Sequence, residues 1–119
     1  ISRTHLDIVL EVEVQCKLAD AIQLSLYRIT QEALNNATQH AMATHIDVGF
    51  HCTAEQGKLT IFDNGCGFDP EGIPAGHLGV AIMRERATEI DAELEIISQP
   101  GQGTHISITW RGHTRRNGI

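Results

Sequence analysis

Glu32, Asn36 and His40 recur every four residues within Gln31 to Ala41, a stretch that otherwise reads as the end of a long helix. That spacing stacks the three side chains along one side of the helix. On a wheel of 3.6 residues per turn, His40 falls at nearly the angle of Ile22 and Ile29, so the polar stripe borders the apolar face. Polar groups there cost about 1–3 kcal/mol each when left unpaired. A polar ligand lying against the helix explains why they are kept, and the remainder of the chain reads as the pocket around it.

The bulk numbers narrow the class of ligand. The chain has 119 residues, 41% apolar and 20% charged, which suits one globular domain with a real core. A formal net charge of −6 argues against a nucleic acid or an anionic membrane as main partner. It leaves room for a nucleotide bound as its magnesium complex, because the ion brings its own positive charge. The cysteines, Cys16, Cys52 and Cys66, are odd in number and lack zinc-knuckle spacing. Neither a disulfide framework nor a zinc site is expected, and a reducing, cytoplasmic compartment fits. No apolar run approaches 18 residues and no signal pattern is present. The start at Ile1 rather than Met suggests a piece of something longer.

Taken in order, residues 4–15 alternate, with Leu6, Ile8, Leu10, Val12 and Val14 on one face, and predict a half-buried strand. Asp20 is the candidate N-cap, with Gln23 at the capping-box position, of a helix running to about Ala41. Its apolar stripe, Ile22, Leu26, Ile29, Ala33 and Ala37, shrinks to alanines, which lets that end lie close to what it covers. Strands follow over 45–53 and from Lys58 to Asp63, joined by a tight connection from Ala54 to Gly57. By parity Asp63 continues the buried row of Leu59 and Ile61, which is unusual for a carboxylate. Residues 68–78 predict a mobile loop. A second helix starts near Gly79 and carries Val80, Ile82, Met83, Ala87 and Ile90. Leu94 and Ile96 mark a strand, and Ile106, Ile108 and Trp110 the last inward row. Five strands with one buried face each and two long helices predict an α+β two-layer sandwich: a mixed, mostly antiparallel sheet with helices on one face. The whole reads as one domain over 1–111 with a basic tail at 112–119.

Three glycine motifs follow the helix. Asp63-x-Gly65-x-Gly67 closes a strand; its glycines permit close approach of a ligand, and a buried Asp would accept from an exocyclic amine such as that of adenine. Alone it reads more simply as a surface turn with an Asp-Asn start. Gly76-His77-Leu78-Gly79 precedes a helix, whose free N–H groups attract phosphate, or it is a plain loop-to-helix junction. Gly101-Gln102-Gly103-Thr104 alone is a hairpin turn. No Walker phosphate loop exists, and Pro70 stands where a dinucleotide fingerprint needs its third glycine.

Order and spacing accomplish what no single motif does. Glu-x-x-x-Asn on a helix, Asp-x-Gly-x-Gly after a strand, then Gly-x-x-Gly and Gly-x-Gly-Thr, over about residues 20–110, resemble the Bergerat ATP-binding fold of gyrase, Hsp90, MutL and histidine kinases. Tyr27 to Leu34 and Ile82 to Ala87 look most like the ATP-binding catalytic domain of sensor histidine kinases of the nitrate-sensor subfamily. The resemblance implies ATP and Mg²⁺ as cofactors. It implies Glu32 and Asn36 as catalytic residues, Asn36 as the Mg²⁺ ligand and His40 on the phosphate side. Asp63 would read adenine, with Gly65 and Gly67 packed against the base. Gly76, Leu78 and Gly79 would form the lid hinge, and Gly101, Gly103 and Thr104 the last box, with the Thr hydroxyl in the network around Asp63.

The implied reaction is transfer of the ATP γ-phosphoryl group to a histidine on a separate helical dimerisation domain of the same protein, with a response regulator downstream. The full-length protein would be anchored in the inner membrane, while this piece contacts neither membrane nor nucleic acid. An anti-sigma-factor-type serine kinase and a non-catalytic nucleotide-binding domain remain as alternatives. Gln39 replaces a common Lys, and Ile90-Asp91-Ala92 replaces a usual Leu-Gly-Gly turn. Cys66 reads as a small filler, with a reactive thiol beside the nucleotide as the alternative; Trp110 reads as core; Arg84 and Arg86 read as a surface pair, with a phosphate or partner-domain contact as the alternative. His5, His45, His51, His105 and His113 read as solvated, and His77 as a residue of the lid.

Overall fold

Strand alternation and the helical stripe assemble the layers that the pattern predicts. The computed structural model describes residues 6–69 and 79–111. The elements are β1 (Asp7–Val14), α1 (Asp20–Asn35) continued by a π-helical turn (Asn36–His40), β2 (His45–Cys52), β3 (Gln56–Asp63), α2 (Val80–Glu89), β4 (Glu93–Ser98) and β5 (Thr104–Arg111). They form one five-stranded sheet in the order β1-β2-β3-β5-β4. β1 runs parallel to β2, and the other three pairs are antiparallel.

The inward rows are those read from parity. Ile46, Leu59, Ile61, Ile106, Ile108 and Trp110 are buried against Ile22, Leu26, Ile29 and Ala33 of α1 and Val80, Met83 and Ala87 of α2. Ile29, Ile46, Ile61, Met83 and Ile108 are the large side chains most completely enclosed, and truncating any of them costs about 2–5 kcal/mol. Gly57 sits opposite Trp110 in the β3–β5 register, and a Cβ there would overlap the indole. Ile82 departs from expectation: it is exposed on the outer side of α2.

β1 is not half-buried. All eight of its residues are exposed, with Leu10 at 65%. The reason is width. Helices pack about 8–10 Å apart, whereas strands are spaced about 4.8 Å, so two helices cover roughly four strands. β1 is an edge strand beyond the reach of α1, and a shallow apolar trough lined by Leu10, Val12, Leu18, Tyr27 and Phe50 runs between them. Asp7, Glu11 and Glu13 alternate with the apolar residues, and such charges discourage pairing of an edge with a second copy.

The start of α1 also differs. Ala19, in extended conformation, is the N-cap; Asp20 is the first helical residue and makes no capping bond. Its charge still faces the positive end of the helix dipole. The Gln23 side chain donates to the Leu18 carbonyl at 3.1 Å instead of closing a capping box. At the far end, the turn widens, and the Ala41 N–H bonds to the Asn36 carbonyl at 2.9 Å. Asp91 takes φ 54°, the left-handed conformation that a glycine would adopt without cost.

Cys16 and Cys52 form a disulfide, against the expectation of free thiols. Counting residues could not reveal this, because parallel pairing creates it. Val14 lies opposite Cys52, and the Gln15 N–H continues the ladder to the Cys52 carbonyl, which brings Cys16 alongside. With a sequence separation of 36 between the two cysteines, the bond contributes about 3–4 kcal/mol by loop entropy. Reduction, or the double variant Cys16→Ser with Cys52→Ser, is expected to lower Tm by on the order of 10 °C. Thermal melts with and without reductant check this; superimposable melts would contradict it.

Candidate functional site

The site begins where β3 ends. Asp63 occupies the last inward position of the strand and is 5% exposed. Its neighbours in register are Ile46 on β2 and Thr104 on β5. One carboxylate oxygen accepts the Gly65 N–H at 2.8 Å. The chain then turns hard against the end of the first helix. A Cβ on Gly65 would lie 2.5 Å from that of Ala41, so only glycine fits. Asn64 fastens the same turn: its side-chain oxygen accepts the N–H groups of Thr44 and His45 at 2.9 and 3.0 Å.

Beneath the helix end lies a cavity of about 180 Å³, lined by Ala33, Asn36, His40, Ala41, Asp63, Gly67, Phe68, Thr104 and Ile106. That is more than ten times the roughly 10–15 Å³ a single water needs. The shrinking apolar stripe of α1 makes the room, since Ala33 and Ala41 stand where larger side chains would fill it. The walls are largely apolar, and the polar groups on them are few.

Two of those groups are uncompensated. Asn36 is 6% exposed, and neither its amide nitrogen nor its oxygen has a hydrogen-bond partner among the described residues. Leaving such a group unpaired costs about 1–3 kcal/mol, so it is a vacant valence for a ligand. Burial raises the Asp63 pKa above its ordinary value, and the Gly65 N–H only partly offsets this. A carboxylate held in an apolar wall with a single donor calls for another donor.

Of the residues expected at the site, Asn36, His40, Asp63, Gly67 and Thr104 line this one cavity. Gly65 and Gly103 pack behind it, Gly103 against the Asp63 carbonyl. Gly101 lies on the β4–β5 turn, where an added Cβ would meet nothing. The Thr104 hydroxyl is not bonded to Asp63; it lies 2.8 Å from the Ser98 hydroxyl. Glu32 is set apart from the cavity. Its carboxylate abuts Gly79, where a Cβ would collide with it, at the start of α2. A negative group there suits the helix dipole. Gly76, His77, Leu78 and most of the expected lid lie outside the described residues, as do His5 and the tail at 112–119.

Ser98 escaped the reading of the sequence. It is 8% exposed, bonds Thr104 and the Gly103 carbonyl, and accepts the Phe68 N–H at 2.9 Å, so it ties the two glycine turns together. The signal was present: Ser98 continues the inward row of Leu94 and Ile96, as Asp63 continues that of β3. The remaining histidines lie outward as expected, with His45 on Asp47 at 3.0 Å, His51 near Glu13 at 3.5 Å and His105 edge-on to Phe62. Arg86 pairs with Glu89 at 3.0 Å along α2.

The family model described as histidine kinase-, DNA gyrase B-, and HSP90-like ATPase matches residues 21–113, and the chain belongs to that family. It is 36% identical over 91 residues to the sensor histidine kinase LiaS of Bacillus subtilis, covering 76% of this chain and 25% of that protein. It is 34% identical over 87 residues to the nitrate/nitrite sensor protein NarX of Escherichia coli, covering 73% of this chain and 14% of that protein. The chain thus spans about a quarter or less of the length of these relatives. Among solved structures, the blue-light activated histidine kinase of Erythrobacter litoralis superimposes with a TM-score of 0.78 at 21% identity, over 96% of this chain and 37% of that one. The ATP binding domain of PrrB from Mycobacterium tuberculosis gives 0.63 at 21%, over 90% and 80%. At such identities these two speak for the fold. No described helix is long and apolar enough to cross a membrane.

The Asp63 carboxyl has a testable consequence in the absence of any ligand. Because its folded pKa is raised, the folded protein retains a proton that the unfolded chain has lost. Stability attributable to Asp63 therefore falls as pH rises from its ordinary value of 3.8 through the raised folded value. Asp63→Asn keeps an oxygen for the Gly65 N–H and removes that loss. It is expected to raise the ligand-free Tm at pH 7 and to leave it unchanged at pH 3. A lower Tm at pH 7 would contradict the desolvation argument.

Proposed function

We propose that this domain binds ATP in the cavity beneath Asn36 and serves as the kinase half of a sensor histidine kinase, passing the γ-phosphoryl group to a histidine on a separate helical dimerisation domain. The observation that carries the reading is the pairing, in one apolar cavity, of a desolvated carboxylate and a buried amide with no partner among the described residues. Asp63 would accept the exocyclic amine of adenine between Phe68 and Ile106. Asn36 and His40 would face the phosphates. The relatives carry the names of sensor kinases, which supports this phosphoacceptor and a response regulator downstream.

The donors on the page suit Mg²⁺ carried in with the nucleotide. Among the described residues no cluster of three or more acidic, His or Cys side chains forms a metal cage. Mg²⁺ does not need one, because it commonly takes one or two protein oxygens, substrate phosphates and waters. The orphaned Asn36 oxygen fits that role. When bound, the ion would neutralise charge on the β- and γ-phosphates. The chain's own part is positioning: Asp63 and the glycine turns orient the base, the alanines of the helix end admit it, and Asn36 holds the phosphate end. Glu32, one helical turn from Asn36, would order a water or polarise the acceptor once freed from the start of α2.

Two substitutions separate the two ends of the pocket. Asp63→Asn is expected to abolish binding of ATP and ADP alike, with or without magnesium, while the fold persists. Asn36→Ala is expected to weaken ATP mainly in the presence of magnesium, by on the order of tenfold, the loss of about 1.4 kcal/mol. Calorimetric titration reads both; unchanged nucleotide affinity in Asp63→Asn would overturn the assignment.

A further inference from the structure

The protein has three cysteines, and with Cys16 bonded to Cys52 only Cys66 is a free thiol; it is exposed. Its place is unusual for a filler. The Cys66 N–H donates to the Ala41 carbonyl at 3.0 Å, and its own carbonyl accepts the Gly101 N–H. The backbone is thus held from both sides, between the helix end and the β4–β5 turn. The thiol lies 3.8 Å from the His40 carbonyl oxygen. His40, Ala41 and the adjacent Gly67 all line the cavity, so Cys66 stands on its rim. Independently of the thiol, the cavity is marked as a ligand site by Asn36, which is 6% exposed and has no hydrogen-bond partner among the described residues.

We propose that Cys66 is a thiolation site whose adduct closes the cavity to nucleotide. This rests on the nucleotide reading above and adds a covalent means of regulating it. The co-reactant is a small anionic disulfide of the glutathione class. The Cys66 thiol releases its proton to solvent, and the thiolate attacks one sulfur of the disulfide. A new S–S bond forms at Cys66, the original S–S bond breaks, and the departing thiolate takes a proton from solvent. One disulfide is consumed and one mixed disulfide formed, with no other oxidant needed. A pinned backbone cannot carry the adduct away from the rim. The bulky, anionic adduct then stands at the mouth of the cavity, between Gly67 and the His40 carbonyl, and opposes nucleotide entry by bulk and charge. Excess small thiol reverses the exchange. Bound nucleotide, conversely, shields the thiol.

The test treats the 119-residue chain with glutathione disulfide, locates the adduct by peptide mass mapping, and titrates ATP calorimetrically before and after. One adduct at Cys66 is expected, formed more slowly under saturating ATP, with ATP affinity lowered about tenfold or more in the adduct. Cys66→Ser is expected to bind ATP like the parent and to be indifferent to the disulfide. A mapped Cys66 adduct that binds ATP as tightly as the untreated chain would overturn the proposal, as would a rate of thiolation blind to ATP. Failure of the untreated chain to bind ATP at all would instead overturn the nucleotide reading.

Discussion

A carboxylate buried at the end of a strand needs partners, and most of the site can be understood as the means of holding Asp63 where it has too few. The Gly65 N–H supplies one bond. Gly103 packs against its carbonyl from the turn before β5, and Thr104 stands opposite it in the ladder. Ala41 crowds the turn that follows so closely that the chain must leave as glycine. These constraints fix the carboxyl in an apolar wall with residual hydrogen-bonding capacity. Free energy given up in this way is recovered only when a donor arrives, which is how a binding site is built at the expense of the empty fold.

The amide of Asn36 is the complementary sacrifice. It projects from the first residue of the π-helical turn, where the helix widens before ending at Ala41. Such turns often mark functional positions, because they re-aim side chains without breaking the helix. Here the turn leaves Asn36 buried and His40 exposed, both on the cavity, so the polar stripe grades from a hidden amide to an accessible imidazole. Glu32, one turn earlier, is turned to the start of α2 instead. The same stripe therefore serves two neighbours, the cavity and the second helix.

How far the sequence could be read depended on whether the deciding contact was local. Parity alone placed Asp63 inward, because β3 alternates without interruption and both its edges are paired, to β2 and β5, which keeps it inside the sheet under the helices. The helix stripe and the inward row ending at Trp110 were legible for the same reason. β1 alternates just as well, yet its burial was decided by how many strands two helices can cover, which no pattern within β1 records. The Cys16–Cys52 bond was hidden because it depends on parallel pairing of strands separated by a helix. Asp20 had the composition of a cap, but the extended Ala19 placed the helix start one residue earlier. Ser98 was legible in principle, as the polar end of an inward row, and was masked by the proline and glycine turn beside it.

The central claim is that Asp63 and Asn36 attend one nucleotide. The most direct measurement is a two-dimensional amide NMR titration of the isotopically labelled chain with ADP, with and without magnesium. The account requires shifts at the Gly65 and Phe68 backbone amides on adding ADP, together with a shift of the Asn36 side-chain amide that grows when magnesium is present. Shifts clustered on the trough between β1 and α1, with Gly65 and Asn36 unmoved, would contradict it.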